Sequence, residues 1–83
     1  MKGDVNVRVL FFGATAAIVG KRNISMSLPD GTISRSVFED LSTEYPNLND
    51  HKLLFSINQN YATGEELIRD GDELAIFTAV SGG

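Results

Sequence analysis

The residues with the clearest chemical use close the sequence: Val80-Ser81-Gly82-Gly83. Glycine has no Cβ, so it can pass through a narrow channel and take up backbone angles closed to other residues. An α-carboxylate on Gly83 would have a pKa of about 3.5 and be ionised and unreactive at neutral pH. It needs activation, for instance as an acyl-adenylate; a sulfur nucleophile then gives a thiocarboxylate, and an amine gives an amide. Extended, the stretch from Val80 to Gly83 reaches at most roughly 14 Å, enough to enter another protein's active site while the folded body stays outside.

Other candidates carry less. Gly13 to Gly20-Lys21 looks superficially like a phosphate-binding loop, but its glycines stand too far apart. Arg22 also occupies the position where Ser or Thr would bind magnesium. His51, between Asp50 and Lys52, has no assignable nucleophile or orienting partner, and it reads as a solvated loop histidine. Glu65-Glu66 and Asp70-Gly71-Asp72-Glu73 read as solvated turn carboxylates, or as steering groups for a basic partner. Asp70-Gly71-Asp72 lacks the ligand count of a calcium loop. No catalytic constellation emerges, so no activity is expected of the chain alone.

Composition narrows the field further. Eighty-three residues allow one domain. With 42% hydrophobic residues, the chain is too apolar for disorder. Eleven acidic residues against seven basic give a net charge of −4, which argues against a nucleic-acid partner and is compatible with a basic protein. Cysteine is absent and His51 is the sole histidine, so disulfides, thiolate metal sites and multi-His zinc sites are excluded. Met1-Lys2-Gly3-Asp4 turns acidic before any long apolar run, and no stretch approaches the ~20 apolar residues that span a bilayer. A soluble, cytoplasmic protein without a membrane partner is expected.

Several elements must position the diglycine. Val5, Val7, Val9 and Phe11 alternate with Asn6 and Arg8 in a first strand that runs to Phe12. Residues 13–22 form a short helix or compact loop. Ile24, Met26 and Leu28 alternate with serines in a second strand, ended by the turn Pro29-Asp30-Gly31. Ile33, Val37, Phe38 and Leu41 recur at helical spacing, with Ser34 as the expected N-cap, Ser36 with Glu39 as a rival capping box, and Pro46 as the stop. Asn47 to Asp50 read as a polar loop, Lys52 to Ile57 as a third strand and Asn58-Gln59-Asn60 as a turn. Leu67 and Ile68 are expected to dip into the core from a short turn or helix, and Glu73 to Thr78 form the last strand.

The order β-β-α-β-(short element)-β is that of an α+β, β-grasp fold: a mixed sheet crossed by one main helix, with the first and last strands parallel and adjacent at its centre. A domain over residues 1–80 and a flexible tail over 81–83 follow. If Val9 and Ile76 face the helix, Phe12 and Phe77 face away and lie close together near the root of the tail. Such a cluster is expected to be a partner surface, with Tyr61 either covering it or belonging to it.

Val9-Leu10-Phe11-Phe12-Gly13, Leu53 to Gln59, Asp70-Gly71-Asp72-Glu73-Leu74-Ala75 and Val80-Ser81-Gly82-Gly83 together resemble the small, sulfur-carrying subunits of molybdopterin synthase, over almost the whole chain. The resemblance implies that Gly83 is adenylated by an ATP-using enzyme similar to the ubiquitin activators and converted to a thiocarboxylate. It implies that the tail enters the large synthase subunit and gives sulfur to precursor Z (cyclic pyranopterin monophosphate), with no cofactor held by the chain itself. It further implies that Phe12, Tyr61, Phe77, Val80, Ser81 and Gly82 contact those two partners. Thr78-Ala79 departs from the Pro-Pro that the family commonly carries before Val-Ser-Gly-Gly. Carriers of the same fold that serve thiamine formation or tRNA thiolation are alternatives, as are a ubiquitin-like modifier and a β-grasp binding module with incidental glycines.

Overall fold

A computed structural model describes residues 3–79. The elements are β1 (Asp4–Phe11), α1 (Ala14–Val19), β2 (Asn23–Pro29), α2 (Ser34–Glu44), a 3-10 turn (Pro46–Asp50), β3 (Leu53–Ile57), β4 (Asn60–Tyr61) and β5 (Glu73–Thr78). They form one five-stranded sheet in the order β2-β1-β5-β3-β4. β1 and β5 run parallel, with Phe11 opposite Ile76, and the other neighbours are antiparallel. This is the β-grasp arrangement, and the parallel central pair is the one that the order of the elements implies.

Alternation decides which face is buried. Val5, Val7, Val9 and Phe11 of β1 and Leu74 and Ile76 of β5 are buried, and they pack under Val37, Phe38 and Leu41 of α2. The rings of Phe38 and Phe55 stack with centroids 4.0 Å apart, and Phe11 meets Tyr45 edge-on at 6.2 Å. Each such pair adds about 0.5–1.5 kcal/mol beyond its buried area. Ala16 and Val19 of α1 pack against the same core, and among the described residues the other face of the sheet carries no helix.

Several local expectations change. Ser34 is the first helical residue of α2 rather than its cap, and the cap position falls to extended Ile33 with no capping side chain. The free N–H groups of the first turn are instead met across the chain: Ser34 N–H donates to Glu66 O at 2.8 Å and Arg35 N–H to Gly64 O at 3.1 Å. Pro46–Asp50 is a 3-10 turn that buries Leu48 completely, so this segment is anchored rather than loose. Residues 62–68 contain no helix. Leu67 bridges Ile33 and stays 48% exposed, whereas Ile68 is buried.

The β3–β4 hairpin turns through Asn58 and Gln59, both at positive φ (49° and 72°). This is the mirror-image turn that suits strand twist, and Asn tolerates it. Asn58 is further pinned: its Nδ2 donates to Asp72 Oδ1 at 2.9 Å, and its Oδ1 accepts from Glu73 N–H at 3.0 Å. Gln59 lacks such compensation in a left-handed conformation that costs a Cβ-bearing residue roughly 1 kcal/mol. Gln59→Gly is therefore expected to stabilise the domain by about 0.5 kcal/mol, the remainder being offset by glycine's greater freedom when unfolded. A rise of a few degrees in Tm by calorimetry checks this.

Candidate functional site

The bare face of the sheet is apolar at one end. Phe12 lies one step beyond the Phe11–Ile76 pair and donates its N–H to Ile76 O at 3.1 Å, which places it beside Phe77. Leu54 stands opposite Phe77 on the other flank, and Leu10 stands opposite Ala75. The Tyr61 ring sits 6.1 Å from that of Phe77. Phe12 is 51% exposed and Tyr61 72% exposed. Tyr61 therefore belongs to the patch and does not roof it, and the structure brings Phe12, Tyr61 and Phe77 to one surface as expected.

Two backbone devices hold the patch. Gly13, at φ 58° and ψ −129°, turns the chain from β1 into α1 through a conformation that glycine alone adopts readily. Buried Thr15 then closes the turn: its N–H donates to Phe12 O at 3.2 Å, and its hydroxyl lies 2.7 Å from Phe12 O and 2.9 Å from Ile76 O. One hydroxyl proton serves both carbonyls, tying the ends of β1 and β5 together where Phe12 projects. Sequence reasoning missed Thr15, because an isolated threonine between alanines carries no periodic signal.

β5 delivers the chain to this place. Ala79 N–H donates to Lys52 O at 3.0 Å, extending the β3–β5 ladder past Thr78. A proline at position 79 could not make this bond. Thr78-Ala79 thus substitutes a hydrogen bond for ring stiffness, which gives the departure from Pro-Pro a physical content. Val80, Ser81, Gly82 and Gly83 lie outside the described residues.

Of the carboxylates expected to be solvated, Glu65, Asp70 and Glu73 are exposed, while Glu66, Asp70 and Asp72 also accept structural hydrogen bonds. Glu66 accepts from the Ser34 hydroxyl at 2.7 Å, from the N–H groups of Thr63 and Gly64 at 2.7 and 3.0 Å, and from the Thr63 hydroxyl at 3.1 Å. The Ser34 bond first, then that from Thr63 N–H, lowers its pKa from 4.5 to about 2, against a smaller opposing effect of burial. Because the folded pKa is depressed, the stabilisation is complete above about pH 4.5 and is lost as pH falls towards 2. Urea titrations of the wild type and Glu66→Gln are expected to differ by a constant amount above about pH 5 and to converge across that window. A difference independent of pH would contradict it.

Glu65 pairs with Arg35 at the surface. Asp70 accepts from Asn6 N–H at 2.7 Å and Asp72 from Arg69 N–H at 2.8 Å, so Asp-Gly-Asp-Glu is a turn that knots the start of β5 to β1. His51 is exposed at the end of the 3-10 turn. A cavity of about 430 Å³ opens between α2 and residues 62–64, on the helix face and away from the patch. Among the described residues no metal-ligating cluster occurs, and no helix is long and apolar enough to cross a membrane.

Among the described residues, no side chain roofs this apolar patch, which lies beside the exit of β5. The sequence profile of the ThiS family matches residues 9–83, through both terminal glycines. The chain belongs to the ThiS family. The molybdopterin synthase sulfur carrier subunit of Homo sapiens is 32% identical over 82 residues, covering 93% of this chain and 93% of that one. Among solved structures, the putative molybdopterin converting factor subunit 1 from Pyrococcus furiosus aligns with a TM-score of 0.84 at 21% identity, over 92% of this chain and 99% of that one, a likeness of fold. The crystal structure of SAMP1 from Haloferax volcanii aligns with a TM-score of 0.80 at 25% identity, over 94% of this chain and 99% of that one. The stretches that carry the sequence resemblance divide by role: Asn58-Gln59 and Asp70 to Glu73 are turn framework, and within Val9 to Gly13 the core takes Val9 and Phe11 while Leu10 and Phe12 lie on the patch face.

Proposed function

We propose that this protein is a sulfur carrier and the small subunit of a molybdopterin synthase, with Gly83 as the carrying residue. The family match running through Gly83 is the observation that carries the reading. The patch of Phe12, Tyr61 and Phe77 at the end of β5 supports it, because it supplies a docking surface at the root of the tail. In this reading an adenylyltransferase similar to the ubiquitin activators transfers AMP from ATP to the Gly83 carboxylate and releases pyrophosphate. A sulfide-level nucleophile attacks the carbonyl carbon and expels AMP, leaving a thiocarboxylate. The tail then enters the large synthase subunit, where the sulfur passes to cyclic pyranopterin monophosphate and hydrolysis returns the carboxylate. Gly82 and Ser81 supply the slender approach, and Val80 the last apolar contact. The chain binds no cofactor of its own, and the cycle runs in the cytoplasm.

Incubation with ATP, the activating enzyme and a sulfur donor, followed by intact mass, tests this. The expected result is replacement of one oxygen by sulfur in a peptide ending at Gly83, and production of molybdopterin on adding the large subunit and its substrate. The likeness to SAMP1 favours a second reading, a protein modifier. Isopeptide adducts on lysines without thiocarboxylate would select it. Thiocarboxylate formed without pterin product would direct the carrier to thiamine formation or tRNA thiolation.

A further inference from the structure

Net charge alone points to a basic partner, but the charges are segregated along the sheet. Asp4, Asp30, Asp70, Asp72 and Glu73 gather at one end: Asp4 pairs with Pro29 beside Asp30, Asp70 bonds Asn6, and Glu73 stands opposite Arg8. Phe12 and the exit of β5 lie at the other end, about 26 Å from Asp4 along β1 and about 13 Å from the Arg8–Glu73 pair. The first distance is roughly three Debye lengths at physiological ionic strength, so Asp4 and Asp30 are screened from the patch and Glu73 only in part.

Around the patch the sign reverses. Arg22 lines a cleft at the end of the sheet, between its two faces, with Leu10, Phe11, Phe12, Gly13 and Ala16, and its carbonyl accepts from Phe11 N–H at 2.8 Å. Lys21 precedes it. On the opposite flank Lys52 is held beside Ala79 by the bond that ends the β3–β5 ladder, two residues before Leu54, and so on the bare face by strand alternation. All three side chains are exposed, and the ion pair recorded among the described residues is elsewhere, between Arg35 and Glu65. Asp50, at the end of the 3-10 turn, is the carboxylate nearest to Lys52 in sequence.

We propose that Lys21, Arg22 and Lys52 form a cationic rim around the apolar patch, and that the surface of the large subunit that receives it is an apolar centre bordered by carboxylates. The inference rests on the carrier reading and refines it, since it assigns the docking face a sign opposite to that of the whole molecule. Rim charges act on encounter more than on the lifetime of a complex. A face of this kind orients the acidic body so that the tail end arrives first.

The test is stopped-flow association of the full chain with the purified large subunit at ionic strengths from low to about 0.5 M, where screening shortens to about 4 Å. The double variant Lys21→Glu/Arg22→Glu and the single Lys52→Glu are compared with Asp30→Lys at the distant end. The rim variants are expected to slow association about tenfold at low salt, with little change in dissociation, and to converge with the wild type at high salt. Asp30→Lys is expected to stay within about twofold. Rim variants that associate as fast as the wild type, or faster, overturn the rim and leave the carrier reading standing. A wild-type chain that does not bind the large subunit overturns both.

Discussion

Deletion of Gly83 alone is expected to abolish sulfur delivery and leave Tm unchanged. The core described lies within residues 3–79, where Val9, Val37, Leu48, Leu74 and Ile76 are fully buried. A chain ending at Gly82 still presents a glycine carboxylate, but its carbonyl carbon stands one residue, about 3.5 Å, short. Reaction needs atoms held about 3–3.5 Å apart, and a misplacement of 1 Å already costs on the order of 10²-fold. The shortened carboxylate therefore falls outside both the adenylating and the sulfur-accepting sites. Gly83→Ala keeps the reach and adds one methyl group, so it is expected to retain a fraction of the activity that the deletion loses. Intact mass after incubation with the activating enzyme, pterin product formation and calorimetry check the three parts. Delivery that survives the deletion would show that reach does not set the reaction. A fall of several degrees in Tm would place Gly83 within the globule.

The features legible from sequence are those carried by local patterns. Alternation in Val5 to Phe11 and in Leu74 to Phe77 identifies strands whose buried faces are the observed ones, and with them the exposed side of Phe12 and Phe77. Pro46 and Gly71 punctuate the chain where their fixed or positive φ requires. What stayed hidden is non-local. The start of α2 is capped by the carbonyls of Gly64 and Glu66 from a segment some thirty residues on, so Ser34, a good N-cap by type, is freed to bind the Glu66 carboxylate. Leu67 and Ile68 are equally apolar neighbours. Only the bridge to Ile33 and the Ile68 N–H bond to Thr32 O decide that Ile68 turns inward. Thr15, with its two carbonyl contacts, exists as a clamp only once β1 and β5 are side by side. The cationic rim has the same origin, because Arg22 and Lys52 flank one patch only after the strands assemble.

Phe12→Asp is expected to weaken docking on the large subunit by more than about thirtyfold while costing the fold about 1–2 kcal/mol. A side chain that is 51% exposed has only about half of its area to lose on the free protein. In a complex the same ring would be desolvated against an apolar centre, where a buried unpaired carboxylate costs several kcal/mol. Phe77 makes a less clean probe: it lies half-buried in the central strand with the Tyr61 ring against it, so Phe77→Asp also disturbs the sheet. Leu67, 48% exposed and far along the chain on the α2 side, is the matched control. Leu67→Asp removes as exposed an apolar group and is expected to leave docking unchanged. Calorimetric titration of each variant into the large subunit, alongside its urea midpoint, separates the two effects. Equal losses for Phe12→Asp and Leu67→Asp would mean that general surface apolarity drives association. A Phe12→Asp variant that unfolds would make Phe12 a core group and reverse the face assignment on which the site is built.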